Sequence, residues 1–327
     1  MIHGTATDLS EVPTGAQHAP PSVEASAHAT AHALPQPSAI LELFKPITWF
    51  PPMWAFACGA VASGVVWADH LWTIVIGILL AGPMVCATSQ AVNDWFDRHV
   101  DAINEPNRPI PSGRIPGRWG LWIAIAWTIC SLAVASLLGT WVFVAAILGL
   151  ALAWAYSAPP LRFKQNGWIG NAACGFSYEG LAWFTGTAVL VSAFPDWRSI
   201  TLAVLYSIGA HGIMTLNDYK AIDGDEQLGV NSLPVLLGPE RAAQVACAVM
   251  IAPQLVVVAF LLAVGAPWHA AAIAALVIIQ LTMMRRFLAR PVERALWYSA
   301  SGVPVFVAGM MVAAFAVRPL VASAGGS

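Results

Sequence analysis

Asn93, Asp94, Asp97 and Asp101 fall within nine positions directly after an apolar run, in the stretch NDWFDRHVDAINEPNRPIPSG from Asn93 to Gly113. On a helix, Asp94, Asp97 and Asp101 follow i, i+3, i+7, and Asn93, Asp97 and Asp101 follow i, i+4, i+8, so both sets share one face. Like charges at that spacing repel. A divalent cation removes the repulsion, because carboxylates and an amide oxygen are the hard ligands that Mg2+ prefers. Mg2+ takes few carboxylates and completes its shell with substrate phosphate. The stretch therefore reads as a site for a magnesium-bound phosphate ester.

A second acidic stretch runs from Asn217 to Gly238, NDYKAIDGDEQLGVNSLPVLLG. Laid on the first, Asn217 matches Asn93, Asp218 matches Asp94 and Asp225 matches Asp101. Ala221 stands where Asp97 would be, and Asp223 is an additional acid. Either Asp218 or Asp223 can supplement Asp225. Two such clusters facing one another can hold two Mg2+ ions around one diphosphate and neutralise it as a leaving group. Cations near the motifs suit the same ligand: Arg108, held between prolines in NEPNRPIP; Arg162 and Lys164, closing YSAPPLRFK; and Lys220 inside the second motif. Lys45 and Arg114 are further candidates.

These motifs must be positioned by membrane-spanning helices. The chain is 58% hydrophobic and only 10% charged, where a soluble domain carries about 25% charged residues. It is a polytopic membrane protein, all-α, and a net charge of −2 gives no footprint for nucleic acid. Nine apolar runs are expected, at about 47–67, 71–92, 120–137, 140–157, 170–191, 199–216, 241–264, 267–284 and 295–317. With nine spans, every Lys and Arg except Arg198 and Arg318 falls on one side. The positive-inside rule makes that side, with the N-terminus and both acidic motifs, cytoplasmic. Residues 1–39 read as a disordered tail, 40–320 as one transmembrane domain and 321–327 as a short C-terminal tail. His3, His18, His28 and His32 in the N-terminal tail are too irregularly spaced for a metal site. The five cysteines are scattered singly and read as small buried hydrophobes.

NDxxDxxxD after the second span, YSxPPxRxK after the fourth and a second Asp-rich segment after the sixth resemble the UbiA superfamily of intramembrane prenyltransferases, over about residues 40 to 317. Within it, DAINEPNRPIPSG and the NSLP that follows the second motif are similar to the chlorophyll and bacteriochlorophyll synthase branch. The resemblance implies nine helices around a central cavity, an isoprenoid diphosphate donor (geranylgeranyl or phytyl), Mg2+ and a chlorophyllide or bacteriochlorophyllide acceptor. The expected metal ligands are Asn93, Asp94, Asp97, Asp101, Asn217, Asp218 and Asp225, with the aspartates carrying the chemistry. The allylic C–O bond ionises and the acceptor propionate captures the cation. A carboxylic acid with a pKa of roughly 4 is already ionised at neutral pH, so no general base is needed. An N-terminal tail without Arg favours a bacterial membrane over a plastid.

Other polar residues have roles to place. Tyr156 falls where the resemblance puts a residue near the prenyl or diphosphate path. Glu179, inside the fifth span, would hydrogen-bond the macrocycle, steady a cation or pair with another helix. His211, inside the sixth, would ligate the central metal of a pigment or pack between helices. Asp223 is a further substrate contact. The rival readings are a UbiA-type enzyme with an aromatic quinone-precursor acceptor, a divalent-cation transporter and a pigment-binding structural protein.

Overall fold

The computed structural model describes residues 34–325 of the chain. The four tail histidines and most of the N-terminal tail lie outside the described residues. Regular structure begins earlier than the expected boundary at residue 40, with α1 (Pro37–Leu43), whose proline at the first helical turn needs no N–H partner. After it come α2 (Phe50–Ala62), α3 (Trp67–Asn104), α4 (Trp119–Leu138) and α5 (Thr140–Ser157). The helix α6 spans residues 167–191, and α7 is Trp197–Asp218. Two short helices, α8 (Ile222–Leu228) and α9 (Leu233–Leu237), precede α10 (Pro239–Ala263), α11 (Pro267–Ala289) and α12 (Pro291–Gly325).

Among the described residues, seven helices are long and apolar enough to cross a membrane. The expected count of nine departs from this at the first and fifth spans. The first falls on α2, which at 13 residues is shorter than the ~20 needed to span on its own. The fifth falls on α6, whose apolar character is diluted by Asn171, Ser177, Glu179, Thr185 and Thr187. Both are interior helices. Gly59 of α2 and Gly186 of α6 let the two backbones touch; a Cβ on either would come within 2.0 Å of the other helix's carbonyl oxygen.

The helices close on themselves. Successive neighbours pack from α2 through α7, α10 joins α7, then α11 and α12 follow, and α12 returns to α2. One large core cluster ties α2, α7 and α10–α12 together around Tyr206, Met250, Phe306 and Tyr298. A smaller one joins α1, α3 and α4. Two helices contain wide π turns: Leu80–Cys86 in α3, around Pro83, and Phe176–Leu181 in α6. Such turns are frequent at functional sites. Here they bring Cys86 and Tyr178 together, with the sulfur 3.4 Å from the hydroxyl.

Candidate functional site

The first motif occupies the last three turns of α3. Asp94 is 2% exposed, and the Lys45 ammonium donates to its Oδ1 at 2.6 Å. Arg108 donates to Asp101 Oδ2 at 2.9 Å and lies 3.5 Å from Asp94. Lys164 donates to Asp97, with the Arg162 guanidinium 3.9 Å from the same oxygen. Asn93 donates to Asp97 Oδ2 at 3.0 Å and to Ser157 Oγ at 3.3 Å. Every expected residue of the first motif thus converges with Arg108, Arg162, Lys164 and Lys45. Arg114 instead forms an outer ion pair with Glu42.

Local backbone explains how the cations arrive. Lys45 (φ 46°) and Arg162 (φ 38°) adopt left-handed backbone, which ordinary residues avoid. Each turns the chain at the end of a short segment, beside prolines, and delivers a cation to the same helix. Strain of this kind persists where the surroundings hold it, and it clusters at functional sites. Burial lowers the pKa of the Lys164 ammonium, with Asp97 pulling in the opposite direction.

The second motif is built differently. Asp218 closes α7, a single 3-10 turn follows, and Asp223 and Asp225 lie on α8, which Gly229 ends in left-handed backbone (φ 68°). Asn171 of α6 donates to Asp218 Oδ2 at 3.1 Å and also to Thr215 at 3.3 Å. Asp218 and Asp225 lie within electrostatic reach of each other. Asn217, Lys220 and Asp223 are exposed. Among the described residues no Lys or Arg nitrogen lies within 4.0 Å of Asp218, Asp223 or Asp225.

The loop after α5 joins the two motifs. Tyr156 lies at its start, one residue before the Ser157 that Asn93 contacts. At its end the backbone pairs with the NSLP segment: Asn231 N–H donates to Gln165 O at 3.0 Å and Gly167 N–H to Asn231 O at 2.8 Å. Gly167 is required there, because a Cβ would come within 2.6 Å of the Leu233 nitrogen. The two loops noted separately in the sequence are therefore one structural unit.

Two expected residues stand elsewhere. Glu179 sits in the π turn of α6, 5% exposed, with one carboxyl oxygen lacking any partner, close to Cys58 of α2. It is eight residues deeper than Asn171, about 12 Å along the axis. His211 is buried and packs its ring against Trp168, centroids 5.6 Å apart. Of the cysteines, Cys58, Cys86 and Cys247 are buried as expected, whereas Cys130 is exposed on the outer surface of α4.

Sequence reasoning missed Ser157, Asn171, Gln90 and Tyr178. Asn171 carried a signal, being polar inside an apolar run. Gln90 did also, continuing the face of Asn93 one turn deeper.

The donor set suits a hard divalent cation: carboxylates and an amide oxygen, with Asp94 Oδ2 buried and unpartnered. Among the described residues no three His, Cys, Asp or Glu side chains already converge. Lys45, Lys164 and Arg108 occupy the carboxylates of the first motif instead.

The UbiA prenyltransferase family profile matches residues 48–310. The chain is 54% identical over 300 residues to the bacteriochlorophyll synthase 33 kDa chain of Cereibacter sphaeroides, covering 91% of this chain and 98% of the relative. It is 40% identical over 290 residues to the chloroplastic chlorophyll synthase of Oryza sativa, covering 84% and 76%. A UbiA homologue from Archaeoglobus fulgidus, solved with GPP and Mg2+, has the same fold at 22% identity, with a TM-score of 0.66 over 82% of this chain and 99% of that one. With the two acidic motifs at the ends of α3 and α7 and a profile match across most of its length, the chain is a multi-pass membrane protein that belongs to the UbiA prenyltransferase family.

Proposed function

We propose that this prenyltransferase esterifies the propionate of bacteriochlorophyllide, or chlorophyllide, with a geranylgeranyl or phytyl group taken from the corresponding diphosphate. The observation that carries the reading is the 54% identity, over nearly the whole chain, to a protein named as a bacteriochlorophyll synthase. Arg162 and Lys164, held at the first motif, and Arg108 above it bind the diphosphate. Arg162 has a buried Nε with no partner in the protein, a donor suited to a phosphate oxygen. Lys220 approaches from the second motif.

Asn93, Asp94, Asp97 and Asp101 on one side, and Asp218 and Asp225 with Asn217 on the other, would hold Mg2+. Bound there, the ion supplies positive charge to the departing diphosphate. Asp218 rather than Asp223 partners Asp225, because Asp218 is half-buried and held by Asn171. The reacting allylic carbon then lies below the acids, inside the ring of helices, where water is scarce and a cation survives long enough to be captured. The C–O bond to diphosphate breaks, the acceptor carboxylate oxygen bonds to the allylic carbon, and no proton changes hands. The bias of Lys and Arg toward one side supports a cytoplasmic active-site face, and the reaction suits a bacterial photosynthetic membrane.

Membranes containing the protein, supplied with bacteriochlorophyllide, geranylgeranyl diphosphate and Mg2+, test this directly. An esterified, more hydrophobic pigment forms, and none forms in EDTA. Prenylation of 4-hydroxybenzoate or homogentisate, with the pigment untouched, would keep the fold and metal site and replace the acceptor.

A further inference from the structure

The face of α3 that carries the metal motif does not stop at Asn93. One turn deeper it presents Gln90 and Ser89, and one turn beyond them Cys86, the last residue of the π turn. These side chains converge on one atom. Gln90 Nε2 donates to the Tyr178 hydroxyl at 3.1 Å, the Cys86 thiol lies 3.4 Å from it and Ser89 Oγ 3.5 Å. Ser89 spends its own proton on the Cys86 carbonyl, at 2.8 Å. Tyr178 belongs to the π turn of α6, opposite, so the cluster forms where the two irregular turns face each other. Gln90, Ser89 and Tyr178 are each only partly buried, although they lie well inside the bundle. They therefore line its interior space.

The hydrogen-bond arithmetic is incomplete. The tyrosine oxygen receives a bond from Gln90, and the one Cys86 thiol proton has the Thr48 carbonyl, at 3.4 Å, as an alternative acceptor, so the tyrosine's own proton has only the weak acceptor Cys86 Sγ at 3.4 Å and Ser89 Oγ, at the limit of hydrogen-bond distance, within reach. Accepted bonds strengthen the donor that receives them. The Gln90 amide also has a second N–H to give. Two neutral donors thus face the interior about 4.5 Å along the axis from Asn93. That is one helical turn below the place where the diphosphate would sit.

We propose that Tyr178 and Gln90 form the binding subsite for the acceptor's carboxylate. The inference rests on the esterification reading above and names how the nucleophile is held. The carboxylate must approach the allylic carbon from the side away from the diphosphate, hence from the membrane side of Asn93. Neutral donors suit this task. A lysine or arginine there would be drawn to the diphosphate and would hold the carboxylate too firmly as an ion pair. A phenol and an amide orient it and leave its charge available for bond formation.

The test compares binding of bacteriochlorophyllide with that of its propionate methyl ester, which cannot react and lacks the anionic oxygen. Binding to the purified full-length protein without donor is followed by quenching of tryptophan fluorescence. The wild type prefers the free acid by roughly tenfold, the scale of one hydrogen bond to a charged group. In Tyr178→Phe and in Gln90→Leu the preference falls to within about twofold, while affinity for the methyl ester is retained and reports an intact fold. In turnover, the KM for the diphosphate stays unchanged. The prenyl cation is increasingly captured by water, so free prenyl alcohol rises several-fold relative to ester. If Tyr178→Phe loses affinity for both pigments, the Gln90→Leu ratio decides. A preference unchanged in Gln90→Leu, or absent from the wild type, overturns the proposal. A wild type that neither binds nor esterifies the pigment overturns the esterification reading, and the subsite with it.

Discussion

The two acidic motifs answer one another in sequence but differ in electrostatics. The first lies on one unbroken helix, and each of its three aspartates has a cation at hand: Lys45 for Asp94, Lys164 for Asp97 and Arg108 for Asp101. The second is broken by a 3-10 turn after Asp218, and its acids have only neutral partners, Asn171 above all. A site that must take up Mg2+ with an anionic diphosphate and then release both benefits from such asymmetry. The first motif keeps its charge balanced by lysines and arginines that can pass to the phosphates. In the proposed reaction the second, whose acids have no lysine or arginine paired to them, is the one that draws the cation.

The contrast can be broken first through activity. Asp97→Ala and Asp225→Ala are each expected to lower esterification by about 10²–10³-fold or more, the scale of losing electrostatic stabilisation of a leaving group. Wild-type-like turnover in either variant removes that residue from the site. Stability comes next, and there the motifs should diverge. Asp94→Asn leaves Lys45 without its buried counter-charge, while Arg108 keeps Asp101, and costs about 1–3 kcal/mol. Asp218→Asn removes a carboxylate that has no cation and costs nothing measurable, within about 0.5 kcal/mol. Denaturation of the two variants in the same detergent, giving equal losses, would erase the distinction.

A smaller effect concerns pH. Because burial holds the Lys164 ammonium below its ordinary pKa, its charge is present at low pH and is lost earlier than usual as pH rises. The alkaline limb of kcat/KM should therefore move upward in Lys164→Arg, since a guanidinium stays charged. An unmoved limb would assign it to another group. Least of all, Arg114→Ala should leave turnover unchanged. Its bond to Glu42 is an exposed pair on the outer rim, far from the acids in function if not in sequence.

Much of this site was legible because its chemistry is local. Asn93 to Asp101 declare one helix face by spacing alone, and prolines around Arg108 and Arg162 marked loops that hold a cation in place. The sequence match of Asn217, Asp218 and Asp225 to the first motif gave no sign of the 3-10 turn that separates Asp218 from Asp225. What stayed hidden depends on residues that meet only after folding. Asn171 reaching Asp218, and Gln165 pairing with Asn231, leave no periodic trace. Apolar runs report length, not hydrogen-bond register, so the π turns at Leu80–Cys86 and Phe176–Leu181 were invisible, and with them the meeting of Gln90 and Tyr178. The same limit affected the first and fifth spans, where short length in α2 and polar residues in α6 reflect burial among neighbouring helices. His211 read from sequence as either a pigment ligand or a residue packing between helices; in the fold its ring lies against Trp168.

The central claim is that two unlike motifs act as one diphosphate site. Counting bound Mn2+ by electron paramagnetic resonance, in the presence of an unreactive geranylgeranyl thiodiphosphate, addresses it most directly. Two ions should bind per wild-type chain, and about one in each of Asp97→Ala and Asp225→Ala, with the analogue held more weakly in both. An unchanged count of two in either variant would contradict the account.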